Sequence, residues 1–431
     1  MCNAARQAGI GGVDKPRRAL HKPGMGLDFL REAGWLNAGR VRGYLWLLAL
    51  LNTATLVFLL ATAHRGVDRN GFLLGTDFLS FWTAGRMLRA GGEVYDIAAH
   101  IAAQQAYFTQ DSAFTAFFYP PSFLPFCYPL GFLGYFPALG LWLLATGAFY
   151  LFAVTRWLRE TPGPIPVSVP AAVLFAAFPP VLITVTHGQT AFLVAGLLGL
   201  GALLVRRAPL AAGALLGLAT IKPQFGLLVP IVLVLTGEWR VIGAAAASAL
   251  LLAAIATLAF GAGHWAEWAA ISGEAQRAMN QGAVGYAKMT SPFAAAMLLG
   301  APAGLAYALQ ALVSLGVAGA IALASWRRAY GPALAAAMLA GAPLVTPFVL
   351  DYDMVLLAFP LIWLAGQGFR PWEKAALALA FIAPAFARPL AMNAAIPIMP
   401  LALILLFAVL LRRAAGQAND MAEQTTRESL T

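Results

Sequence analysis

Charge is what this chain most lacks. Of its 431 residues only 11% are Asp, Glu, Lys or Arg, whereas 61% are hydrophobic, and the mean hydropathy is +0.75. A soluble domain carries about 25% charged residues, so the composition excludes an ordinary water-facing surface and points to lipid. Cysteine is almost missing. Cys2 and Cys127 stand far apart in sequence, which excludes a cysteine metal motif and a disulfide framework. Also missing are a phosphate-binding P-loop, a GxGxxG followed by a ribose-binding acid, HExxH, CxxC and a GxSxG elbow. Their absence argues against cytosolic nucleotide chemistry.

What is present reads as a polytopic membrane chain. The 42 glycines and 27 prolines suit helices that pack closely or break near sites. The net charge of +10 is topogenic, because Lys and Arg gather in loops that stay in the cytoplasm. Residues 1–42 hold Arg6, Lys15, Arg17, Arg18, Lys22, Arg31, Arg40 and Arg42 against three acids, and read as a flexible cytoplasmic tail. Gly43 to Ala63 is a first apolar run of spanning length, since about 20 residues cross a bilayer. Residues 64–118 are then a first outer loop, with a short interfacial helix from Asp77 to Ala90 closed by Gly91-Gly92.

Later runs, Val167–Thr186 among them, are punctuated by Arg156/Arg159, Arg206/Arg207, Arg240, Arg327/Arg328, Arg370/Lys374 and Arg412/Arg413. Alternating spans put all of these on one side, giving about twelve spans with both ends inside. Ser122 to Leu133 is apolar but short, and reads either as a re-entrant helix or as one more span. The membrane domain covers 43–411, and 412–431 is a polar cytoplasmic tail expected to be disordered.

This topology sorts the polar residues. The outer side collects a varied set that includes Asp77, Arg86, Tyr119, His187, Gln189, Lys222, Asp351, Asp353 and Arg388. Asp77 lies in Gly75-Thr76-Asp77-Phe78-Leu79-Ser80-Phe81-Trp82. A carboxylate among aromatics beside a span is costly to desolvate and has a partner or a task. Two readings stand: a general base for a sugar hydroxyl, or a helix cap with a link to Arg86. Lys222 precedes Pro223, and a cation at a helix break suits phosphate neutralisation; a snorkelling lysine is the alternative. His187-Gly188-Gln189 is either a hydrogen-bonding site or a polar turn. Asp351-Tyr352-Asp353 ends a span, where two acids suit a metal, a pair of sugar hydroxyls or a solvated helix end. No ligand spacing indicates a metal or other cofactor.

The order of these motifs resembles glycosyltransferase family 87, within the membrane-embedded GT-C class. The resemblance rests on Thr76-Asp77-Phe78, Phe81-Trp82-Thr83-Ala84-Gly85, Gly92-Glu93-Val94-Tyr95-Asp96 and Phe118-Tyr119-Pro120-Pro121. It continues through Leu141-Trp142, Pro179-Pro180 before Gly188-Gln189, and Gly217-Leu218-Ala219 to Ile221-Lys222-Pro223. It implies an all-α GT-C-type bundle in a bacterial plasma (inner) membrane with its active site on the outer face. It implies a donor sugar, a hexose (mannose foremost) or a pentose, on polyprenyl phosphate, an inverting transfer to a lipid or glycan acceptor, and no nucleic-acid partner. Asp77 matches the family's acidic position in the first outer loop, and Lys222 its Lys-Pro. Arg86 is expected to assist Lys222 at the donor phosphate, with Tyr119, His187, Gln189, Asp351 and Asp353 contacting substrate. Many members carry a histidine-rich segment where this chain has Thr346 to Asp353. The rival from another class is a transporter or flippase for lipid-linked glycans; the long outer loop and the lack of an inverted repeat weigh against it.

Overall fold

The structure, a computed structural model, describes residues 27–108, 116–161 and 169–428. Residues 1–26 of the basic N-terminal segment, 109–115 of the outer loop, Val167 at the start of one expected span and 429–431 of the tail lie outside the described residues. Helix accounts for 77% of the described residues, with no strand among them. Among the described residues six helices are long and apolar enough to cross a membrane: Ala38–Ala61, Tyr135–Glu160, Trp239–Phe260, Ala303–Ser325, Glu373–Ala394 and Ile398–Gly416. Four further apolar segments, Ala191–Leu204, Pro209–Ile221, Pro223–Leu235 and Pro332–Leu344, have 10–17 residues. A 14-residue helix reaches only about 21 Å, short of a hydrocarbon core of about 30 Å. The expected count of about twelve spans is therefore not confirmed. Breakers inside the apolar runs are the cause. Val167–Thr186, expected as one span, bends at Phe178 into helices Ala171–Ala177 and Pro179–His187, because Pro179 cannot continue the preceding turn and suits the start of a new one.

Burial separates interior from periphery. Every residue of the helix Pro332–Gly341 except Pro332 is buried, as are eleven of Ala191–Leu204, whereas Ala38–Ala61 buries only Leu45 and Ala49. All three are apolar around their whole circumference, so the first two form the core and the last presents its faces to lipid.

The helix Tyr135–Glu160 marks two ends about 39 Å apart. At one end Glu160 pairs with Arg156 and Arg207, and Arg206 pairs with Glu238. Three of the basic residues read as single-sided punctuation, Arg156, Arg206 and Arg207, thus meet there. At the other end the Tyr135 hydroxyl lies 2.8 and 2.7 Å from the carbonyls of Leu74 and Gly75, which places the first-loop helix at the opposite pole.

That first-loop helix, Thr76–Ala90, closes on Gly91 at φ 69 as expected. It is not peripheral, since Phe78 through Gly85 are all buried. It is packed on the seven-residue helix Leu124–Leu130, the element that fills the ambiguous stretch and is too short to span. The contact needs glycine: a Cβ on Gly85 would sit 2.1 Å from the Cys127 carbonyl oxygen. Beyond Arg413 the last helix runs on to Glu428, where disorder was expected, because the Ala-, Gln- and Glu-rich tail consists largely of good helix formers.

Candidate active site

Two left-handed glycines bring the first loop onto the centre of the bundle. Gly75, at φ 75, starts the helix that carries Asp77 in its first turn. Gly188, at φ 66, ends the helix Pro179–His187. A Cβ on Gly188 would lie 2.6 Å from Phe78 Cβ and 3.3 Å from Gly75 Cα, so the two turns touch with no room for a side chain. The Gly75 N–H donates to the Thr186 carbonyl at 3.0 Å, and Trp142 Nε1 donates to the Gly188 carbonyl at 3.1 Å.

This close approach gives Asp77 its partner. Gln189 Nε2 donates to Asp77 Oδ2 at 2.7 Å. Asp77 does not cap its helix: the N-cap is Gly75, with no side-chain capping bond, and among the described residues it has no ion pair with Arg86. Gln189 is buried and Asp77 half-buried. The Tyr119 hydroxyl donates to Gln189 Oε1 at 3.1 Å and lies 3.0 Å from Thr190 Oγ1. Aromatic rings line this corner, with Phe81–Tyr119 and Tyr119–Phe123 centroids 5.1 and 4.6 Å apart.

Lys222 lies where the sequence predicted a break, between the 3-10 turns Ala219–Ile221 and Pro223–Gly226. It does not snorkel. Its side chain is 4% exposed, and Nζ donates to Asp353 Oδ1 at 2.5 Å. Asp353 Oδ2 also accepts the Leu350 N–H at 3.1 Å. Asp351 takes a two-pronged guanidinium bond, Arg388 Nε to Oδ2 at 2.8 Å and an outer Arg388 nitrogen to Oδ1 at 3.1 Å. Tyr352 lies between them. Lys222 Nζ stands 5.2 Å from its ring and the His187 ring 5.9 Å from it, and Asp77, Asp353 and Asp351 all act on it electrostatically. His187 Nδ1 lies 2.9 Å from the Ile183 carbonyl, which places a proton on Nδ1 and leaves Nε2 as an acceptor in the neutral ring.

The structure therefore gathers Asp77, Tyr119, Gln189, Lys222, His187, Asp351 and Asp353. It does not gather Arg86. Nine helical residues from Asp77 put Arg86 about 13 Å along the axis and on the opposite face; it is exposed and stacks over Trp82 at 5.1 Å. The cation that sequence reasoning left without a role is Arg388. Its signal was available, as a lone arginine beside Pro389 in an apolar helix is expensive in lipid and needs a partner. Each carboxylate of the Asp351-x-Asp353 pair is bound by a cation, Asp351 by Arg388 and Asp353 by Lys222. Among the described residues no group of three or more His, Cys, Asp or Glu side chains is placed to hold a metal ion.

Residues 117–350, more than half of the chain, match glycosyltransferase family 87. The chain belongs to glycosyltransferase family 87. It is a glycosyltransferase, and its long apolar helices fit the membrane-bound character of the family. No curated protein and no solved structure matches it. The matched stretch holds Tyr119, His187, Gln189 and Lys222. Asp77 precedes it, and Asp351, Asp353 and Arg388 follow it, so geometry alone ties those four to the family 87 segment.

Proposed function

We propose that the protein transfers a hexose, mannose foremost, from a polyprenyl-phosphate donor to a hydroxyl of a lipid or glycan acceptor, with inversion, on the outer face of a bacterial plasma membrane. One observation carries the assignment of the base. Of the three carboxylates at the site, Asp351 and Asp353 are bound by Arg388 and Lys222, while Asp77 is held by a neutral amide. Both oxygens of each cation-bound carboxylate are committed, those of Asp351 to Arg388 and the Tyr352 N–H and those of Asp353 to Lys222 and the Leu350 N–H. Asp77 has its Oδ2 held by Gln189 and is only half-buried, so a substrate hydroxyl can reach its carboxylate.

In the proposed step the acceptor oxygen attacks the anomeric carbon as its proton passes to Asp77. The new carbon–oxygen bond forms while the bond to the phosphate oxygen breaks, and polyprenyl phosphate leaves with the electron pair. Lys222 and Arg388 offset the charge gathering on that phosphate; Arg388 replaces Arg86 in this role. The pole at which Asp77 lies is opposite the paired arginines, which supports an outer site under the positive-inside rule.

Glycolipid and glycan profiling of a deletion strain tests the substrate. The reading expects the loss of one product exactly one hexose heavier than an accumulating precursor. Unchanged profiles, or a missing pentose, would count against it.

A further inference from the structure

Asp77 is held by a hydrogen-bond relay whose direction can be assigned throughout. Gln189 Oε1 accepts from the Thr190 N–H at 3.0 Å and from the Tyr119 hydroxyl at 3.1 Å. Two donors on that oxygen fix the amide with its nitrogen toward Asp77, at 2.7 Å. A flipped amide would set Oε1 against a carboxylate oxygen and its N–H2 against the Thr190 backbone N–H, losing both of those bonds. Thr190 Oγ1, 3.0 Å from the phenol oxygen, is then the donor of that contact, because the single Tyr119 proton is already committed. Burial pushes the Tyr119 phenol above its ordinary pKa of 10, so it stays a donor.

Tyr119 is itself held from two sides. Tyr95 donates to its carbonyl at 2.9 Å, and Trp268 Nε1 donates to the Phe118 carbonyl at 3.1 Å. These come from the first outer loop and from the helix Gly263–Asn280. The relay thus begins on separate elements and ends on one oxygen of Asp77, with Oδ1 left to face the acceptor.

We infer that Gln189 and Tyr119 are positioning residues for Asp77, which orient its carboxylate without a cation, rather than contacts to the sugar. This rests on the proposed role of Asp77 as base. Side chains that bound substrate would act on KM; side chains that aim a base act on kcat and on its pH dependence.

The test uses the purified full-length protein in lipid nanodiscs. The probe is polyprenyl-phosphate mannose labelled in the sugar, with total membrane lipids as acceptor. Gln189→Glu sets a like charge beside Asp77, so the acid limb of the kcat–pH profile should move up by about one pH unit with donor KM within about twofold. Tyr119→Phe deletes one oxygen and should lower kcat about tenfold, again with KM held. Tyr119→Phe keeps the question answerable if Gln189→Glu does not fold. An unmoved limb in Gln189→Glu, or a tenfold rise in KM with kcat intact in Tyr119→Phe, would overturn the inference. Asp77→Asn is run alongside. If it is inactive while the relay variants show no kcat or pH effect, the inference alone fails; if it is active, the reading beneath it fails too.

Discussion

At the scale of single residues, the site is defined by which partner each charge has found. Lys222 and Asp353 are 131 positions apart and meet with almost no exposure. Removing one member of such a pair leaves the other charge buried alone, at about 3–5 kcal/mol. Lys222→Ala is therefore expected to destabilise the protein by that amount, and Lys222→Ala with Asp353→Ala by clearly less. Thermal unfolding in nanodiscs checks this, and equal losses would show that the pair is not a unit. Neither partnership was legible in the sequence. The chain marked Lys222 and the two acids as expensive in lipid, but expense does not name a partner. The same blindness left Arg388 unassigned and favoured Arg86, which is near Asp77 in sequence yet on the other side of its helix.

At the scale of elements, the site depends on turns more than on spans. Gly188 has positive φ and no space for a Cβ. Gly188→Ala is expected to cost about 2–4 kcal/mol and to part Gln189 from Asp77. Loss of transfer in a variant that still purifies would agree, and unaltered stability with unaltered activity would not. The loop helix Ile97–Tyr107 docks on the Asp77 helix through His100, fully buried, with Nε2 at 3.2 Å from Ser80 Oγ. Burial lowers the His100 pKa from 6.5 to about 4. Folding thus disfavours its protonation, so this docking is at full strength above pH 6.5 and weakens as pH falls from there toward 4. Hydrogen exchange of Ile97–Tyr107, corrected for intrinsic rates, should rise across that window, and His100→Gln should remove the pH dependence. The first-loop helix and the break at Pro223 were legible because glycine and proline act locally, whereas the break at Pro179 was missed inside a run read as one span. The span count was not, since an apolar run of a given length reads alike whether it crosses the bilayer or turns back inside the core.

At the scale of the whole molecule, polarity is segregated between two poles. Paired arginines and Glu160 lie at one, Asp77 and its cluster at the other. This segregation was the most legible feature, because loop charge follows side rather than partner. A reporter fused at residue 100 should read as extracytoplasmic and one at residue 207 as cytoplasmic. The same side for both would contradict the topology.

The most direct test of the proposed chemistry is transfer by purified Asp77→Asn. Asparagine keeps the shape and can still bond to Gln189 but cannot take a proton. The account predicts a fall in kcat of about 100-fold or more with binding of polyprenyl-phosphate mannose preserved. Transfer near the unaltered rate would contradict it.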